Sequence, residues 1–248
     1  MNGKIVTNEF AKMRHLHVWL IAALLLVVTT GFALYTGVFS PDFDRATGGA
    51  WNSLLNSFGG VAPLVSPLLL AIMASRLVDI EHVGGGWLMS SVSGATSGAL
   101  CRAKMLALAV LVVVATVAAS VLVAATGFLT GIEAPWPAGR WIGLTVMILI
   151  VNLVLVALAV IIAARVENQL VGIGIGLLGT VLGLIASSMP AWFVHLTPWG
   201  YYTLAAVTGY DDAELVAITP SYLSIAGLAI VAIVAFSIFT SRFDRQEA

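Results

Sequence analysis

The side chains able to carry chemistry are few in this sequence, and their spacing does not bring them to one place. Catalysis would need paired carboxylates, a histidine cluster or a Ser/His arrangement at a common site. The densest candidate is RLVDIEH at 76–82, which gathers Arg76, Asp79, Glu81 and His82 within seven positions. His195 stands alone among apolar neighbours, while His15 and His17 sit near the start of the chain. The single cysteine, Cys101, cannot form an intrachain disulfide, and no CxxC or Cys/His ligand spacing exists. No phosphate loop of the form G-x-x-x-x-G-K-[ST] occurs: Gly84, Gly85 and Gly86 run into Trp87, with no lysine where the phosphates need one. The sequence therefore assigns no catalytic residue, no metal ligand and no directly bound cofactor.

The elements that would position these residues follow from composition. Of 248 residues, 60% are hydrophobic and 9% charged, where a soluble domain carries about 25% charged residues. Eleven Lys and Arg with twelve Asp and Glu cannot cover a soluble globule of this length, which excludes a cytosolic enzyme, a secreted disulfide scaffold and a disordered chain. A net charge of −1 argues against a nucleic-acid partner. The reading is an integral membrane protein with lipid as its surroundings.

A bilayer core about 30 Å thick takes roughly 20 apolar residues in a helix. Charges at mid-membrane are costly, so spans fall between them. Six long charge-free intervals predict spans near 18–38, 54–75, 105–130, 141–164, 170–189 and 219–241. The expected fold is thus an all-α polytopic membrane protein, one permease-sized domain over 1–248. Residues 83–101 hold five glycines and four serines and are not read as a span. With both termini inside, nine basic residues lie within and only Arg45 and Arg140 outside, the bias that sets orientation. Trp51, Trp136, Trp141, Trp192 and Trp199 are expected near the outer interface. A cleavable signal peptide is disfavoured, because the first apolar run is too long and no A-x-A site follows it promptly. With no Asp, Glu, Lys or Arg inside any span, a proton or sodium relay has no carrier.

Between the spans, 3–16 has helical spacing. Ile5, Val6, Phe10, Met13 and Leu16 share one sector, with Lys4, Lys12, Arg14 and His15 mostly on the other. This predicts an amphipathic helix along the inner membrane surface. Glu9 intrudes on the apolar sector, as it would if the helix also met a protein. Residues 76–104 form the longest inner segment. A short polar helix, a break at three glycines and Trp87 make a docking knob for a cytoplasmic protein, with an ordinary solvated loop as the alternative. In the fifth span Gly172, Gly176, Gly179 and Gly183 make a stripe of small residues for close helix packing. Its partner is another span or a second copy, and self-association or a cavity-facing role is preferred. Asn152 is read as an interhelical hydrogen bonder. Residues 190–218, with Trp192, Phe193, Trp199, Tyr201 and Tyr202, read as an outer re-entrant or interfacial segment.

Three stretches carry a resemblance. NEFAKMRH at 8–15 fits an E-x-x-K-x-R pattern on a connecting helix before the first span. DIEHVGGGWLM at 79–89 followed by RAKML at 102–106 resembles an acidic coupling segment and the A-K that opens the third span. LTPWGYY at 196–202 is similar to the outer region between spans five and six. Together they resemble permease subunits of the type-2 ATP-binding-cassette (ABC) exporters, especially the small bacterial ones of lantibiotic, bacitracin or multidrug export and immunity. The chain departs from many relatives in lacking a Pro-x-x-Arg before the A-K; Gly94 stands near that turn.

The resemblance implies a multi-pass protein of the bacterial plasma membrane in which two copies of this chain pair with two cytoplasmic ATPase subunits. Those subunits would hold the ATP and Mg. Asp79, Glu81, His82 and Trp87 would couple to the ATPase, and Glu9, Lys12 and Arg14 would belong to the connecting helix. Spans two and five would supply a central cavity, with Asn56, Ser57 and Thr180 as lining candidates. The cargo would be hydrophobic or amphipathic. The competing reading is a non-transporting sensor or immunity protein that binds a peptide at the outer face.

Overall fold

The charge-free intervals become helices. A computed structural model describes residues 3–212 and 214–246. Six of its helices are long and apolar enough to cross a membrane: Val18–Val38, Gly49–Val83, Ser97–Leu129, Ala138–Arg165, Gln169–Ser188 and Tyr222–Arg245. In chain order the elements are α1 (Gly3–His15), α2 (Val18–Val38), α3 (Gly49–Val83), α4 (Gly86–Val92), α5 (Ser97–Leu129), α6 (Ala138–Arg165), α7 (Gln169–Ile185), α8 (Ala191–Leu196), α9 (Tyr201–Leu204), β1 (Thr208–Asp211), β2 (Glu214–Ala217) and α10 (Tyr222–Gln246). Short 3-10 turns follow α7 and precede α9.

Two expected boundaries move. At 35 and 33 residues, α3 and α5 reach roughly 50 Å at 1.5 Å per residue, well beyond a bilayer core. The windows 54–75 and 105–130 caught only the bilayer-thick part, because charge stops an apolar run without stopping a helix. The segment 76–82, expected as a separate short helix, is instead the last two turns of α3. The glycines do end it, with Gly85 in the left-handed region at φ 62°. Thr96 then caps α5 by accepting the Ala99 amide N–H at 3.3 Å.

The spans are helical, as an all-α polytopic protein requires, and the outer segment adds one small departure. Within 190–218 the chain forms a two-stranded antiparallel hairpin, with Thr208 opposite Ala217 and Asp211 opposite Glu214. Asp212 has φ 52°, which its tight turn requires. Strands of four residues are too short to show a period of two, and their acidic turn reads as a loop.

Helix α3 is the centre of the bundle, packing on α2, α5, α6 and α7. Trp51, Leu54, Phe58, Leu70, Met73 and Leu77 are all almost wholly buried along it. Pro63 and Pro67 lie inside α3, and each removes one intrahelical N–H donor. The bundle has a hairpin end, where α8, α9 and the strands gather, and a basic end, where α1, α4 and the start of α5 meet the last turns of α3, α6 and α10.

Candidate functional site

At the basic end, three helices converge on a ring of four charges. Glu9 comes from α1, Lys12 from the next turn of α1, Glu81 from the last turn of α3 and Lys104 from the start of α5. The Lys104 ammonium donates to Glu9 Oε2 at 2.7 Å, to Glu81 Oε1 at 2.7 Å and to the Leu77 carbonyl at 2.9 Å. Those three bonds use all its donors. Lys12 donates to Glu9 Oε1 at 2.7 Å and to Glu81 Oε1 at 2.6 Å, closing the ring. Glu9 and Lys104 have no exposed surface and Glu81 has 3%, while the Lys12 side chain keeps 29%.

The sequence builds this ring locally. On α1, Glu9 and Met13 lie one turn apart and are the buried positions among its described side chains, so its inward face is centred on a carboxylate. Phe10 is 38% exposed, and the Lys4 side chain, expected on the polar face, lies outside the described side chains. On α3, Leu77 and Glu81 are likewise one turn apart, so carbonyl and carboxylate reach the same ammonium. Gly86 lets the chain turn back closely: a Cβ there would stand 3.0 Å from Glu81 Cα and meet the carboxylate itself. The glycine run is therefore a tight corner rather than only a flexible break.

Two like pairs of opposite sign make the ring electrically neutral. Taking each ion out of water still costs several kcal/mol, so burial is tolerated only with every partner in place. Burial works against the charge of Lys12, but the hydrogen bonds it donates to Glu81 and Glu9, with the attraction of their charges, outweigh it and hold its pKa above the usual lysine value.

Next to the ring, Trp87 donates its indole N–H to His82 Nδ1 at 3.3 Å, and the His82 Nε2 position is 2.9 Å from the Ala163 carbonyl. A neutral imidazole protonated at Nε2 satisfies both bonds. His82 thereby ties α4 to the end of α6. Asp79 and Arg76 lie instead on the wall of a cleft of about 600 Å³ between α3 and the start of α7. Arg14 points outward from α1 and is exposed.

Thus Glu9, Lys12 and Glu81 come together, His82 and Trp87 pair beside them, and Asp79 and Arg14 stand apart. Lys104 was not among the expected site residues. Its signal was a lysine in the apolar opening of a span, paired with a glutamate on an apolar helix face. A second unassigned feature is the apolar tip of this corner: Val83, Leu88, Met89 and Val92 are 72–84% exposed.

The glycine stripe faces the chain itself. A Cβ on Gly176 would come within 2.5 Å of Ala71 Cβ and 3.0 Å of the Pro67 carbonyl oxygen, and one on Gly183 within 3.0 Å of Pro63 Cβ. Gly172 lies against Ser75, and Gly179 against the Trp199 indole. Three of the four glycines thus line an α3–α7 seam. The lining candidates have different neighbours: Asn56 accepts from Thr208 at 3.5 Å, Ser57 is buried against Gly37 of α2, and Thr180 donates to the Gly176 carbonyl at 3.3 Å.

At the hairpin end, Asn152 is the interhelical bonder that its place suggests. It donates to Thr116 Oγ1 at 3.1 Å and accepts from the Tyr202 hydroxyl at 2.5 Å. Trp51 and Trp141 are at this end but inside the bundle, not on its surface. Their rings meet edge to face at 5.9 Å, and their indole N–H groups donate to Ala134 O and Ser120 Oγ, each at 2.9 Å. Gly127 makes the room for Trp51.

A family model described as ABC-2 family transporter protein matches residues 5–183. The match takes in the ring, the α3–α4 corner and the α3–α7 seam, and stops before the hairpin and α10. No individual curated protein matches the chain. With nearly three quarters of its length matched and six apolar helices of membrane-crossing length, this chain belongs to the ABC-2 family of transporter proteins and is a multi-pass membrane permease of that family.

Proposed function

We propose that this chain is the membrane half of an ABC exporter of the bacterial plasma membrane, moving a hydrophobic or amphipathic compound with ATP hydrolysed by a separate subunit. Two copies would pair with two ATPases, which hold the ATP and Mg, and both termini would face the cytoplasm, as the basic end favours. The observation that carries this reading is the α3–α4 corner. Its exposed apolar tip, Leu88, Met89 and Val92, sits at the charged end of the 35-residue α3, where the rest of the chain does not hide it. Such a patch fits a groove on a soluble partner.

Behind the tip, Trp87 and His82 fix α4 to α6, while Glu81 fixes the end of α3 to α1 and α5. A push on the tip would therefore act on four helices together. Coupling needs different contacts in two states, and a closed ring of buried charges provides one well-defined state. Asp79 and Arg76, on the nearby cleft wall, are free to contact the ATPase or the cargo.

The test is reconstitution in vesicles with the cognate ATPase and a fluorescent amphipathic peptide. Movement should require ATP and Mg, and Met89→Asp should abolish it while leaving insertion in the membrane intact. Movement driven by an ion gradient without ATP would overturn the proposal, and peptide binding at the outer face without movement would favour a sensor or immunity role.

A further inference from the structure

On the flank formed by α5, α6 and α10, a groove of about 520 Å³ opens beside the spans. Its walls are apolar, with Leu106, Ile150, Val154, Ala157, Ala232 and Phe236 among them, and one cation, Arg102, lines it toward the basic end. The volume falls in the range of small-ligand clefts, roughly 300–1,000 Å³. Helix α10 is the least covered of the six spans, 11% buried in its apolar stretch against 72% for α3, so the groove opens sideways. In a membrane, what lies to the side is lipid.

Arg102 makes this more than a greasy trough. It is the sixth residue of a 33-residue helix, at the depth where an apolar core gives way to headgroups. Its Nη1 donates to Asp244 Oδ2 at 3.0 Å, and the Thr96 hydroxyl donates to the other oxygen of Asp244 at 2.5 Å. This clasp fixes the guanidinium in place. A guanidinium has five N–H donors, and the side chain remains 37% exposed, so one carboxylate leaves donors open. Arg245 is exposed on the last turn of α10, beside Asp244 in the chain, and Arg242 is exposed just before that turn.

We propose that the groove binds one anionic phospholipid, its acyl chain lying along α10 between α5 and α6 and its phosphate on the open donors of Arg102. The walls take the chain whatever the headgroup; Arg102 supplies the preference for an anion. The site differs from the α3–α4 corner and does not depend on transport.

Native mass spectrometry of the purified full-length chain tests it, with phosphatidylglycerol and phosphatidylcholine of identical acyl chains added. The wild type should retain phosphatidylglycerol about fivefold over phosphatidylcholine, the factor expected of one interfacial arginine. Arg102→Gln should remove that preference yet still retain lipid, and Ala232→Phe should lower retention of both lipids by filling the groove. Asp244→Asn keeps the cation and breaks the clasp; the preference should survive it, which separates loss of the headgroup contact from loss of the α5–α10 link. Equal retention by the wild type, or a preference that survives Arg102→Gln, would overturn the proposal. So would an Ala232→Phe chain with unchanged lipid but disrupted dimers, which would give the groove to a second copy.

Discussion

At the basic end, Glu9, Lys12, Glu81 and Lys104 join α1, α3 and α5 through charges that are nearly all out of water; at the hairpin end, largely neutral bonds join the same bundle. There Trp51 reaches Ala134, Tyr202 reaches Asn152 and Asn52 reaches Leu215. The two kinds of joint respond differently to force. A neutral hydrogen bond contributes about 1 kcal/mol and can be lost alone. A buried charge cannot lose its partner without becoming a large penalty itself, so the ring holds or opens as a whole. The basic end is thus cooperative and the hairpin end graded, as suits a machine driven from one side.

The strongest way to break this comparison is Lys104→Met, which leaves the buried carboxylates of Glu9 and Glu81 to share the partly exposed Lys12 alone. It should cost about 3–5 kcal/mol of stability, read by denaturant unfolding in detergent, and abolish ATP-driven movement. Replacing the set together, with Glu9→Gln, Lys12→Met, Glu81→Gln and Lys104→Met, should recover most of the stability but not the coupling. If Lys104→Met unfolds like the wild type, the ring is not a cooperative joint.

The next largest effect belongs to neither end. Gly176→Leu drives a side chain into Ala71 and the Pro67 carbonyl, and overpacking of that kind costs about 1–3 kcal/mol. Cross-linking between α3 and α7 would register the separation. At the hairpin end, Tyr202→Phe leaves the buried Asn152 carbonyl with one donor fewer, at about 1–2 kcal/mol, and should leave the coupling of transport to ATP unchanged.

The smallest effect is that of pH through Lys12. Its pKa is raised in the folded chain, so its stabilising contribution is fully present below the unfolded lysine value of about 10.4 and is lost as pH rises through the folded one. Between pH 6 and 9 Lys12 should contribute no change, and α1 should loosen only in stronger alkali. Hydrogen exchange of α1 amides against those of α9 would show whether the alkaline change stays at the basic end.

The spans were legible because a membrane imposes a length and forbids stray charge, both of which are local properties of a sequence. Helix-breaking at Gly84 and Gly85 and the interhelical role of Asn152 were legible for the same reason. The ring was not. Glu9 and Lys104 lie 95 residues apart, and Lys12 and Glu81 lie 69 apart, so only the packing of α1 against α3 and α5 brings them together. One trace was visible, a glutamate on the apolar side of α1; the sequence alone reads it as contact with a protein partner, whereas its partners Lys12 and Lys104 lie inside the chain. Trp51 and Trp141 read as interface anchors because sequence gives their depth in the membrane but not whether they face lipid or the core.

The pairing of Glu9 with Lys104 also orders the birth of the protein. At roughly 5–20 residues per second, the ribosome finishes Lys104 about 5–19 s after Glu9. Through that interval the first helix must wait on the wet surface of the membrane, its carboxylate still hydrated. Its final seat exists only once the third span has begun to emerge, so α1 settles after helices that are made later than it.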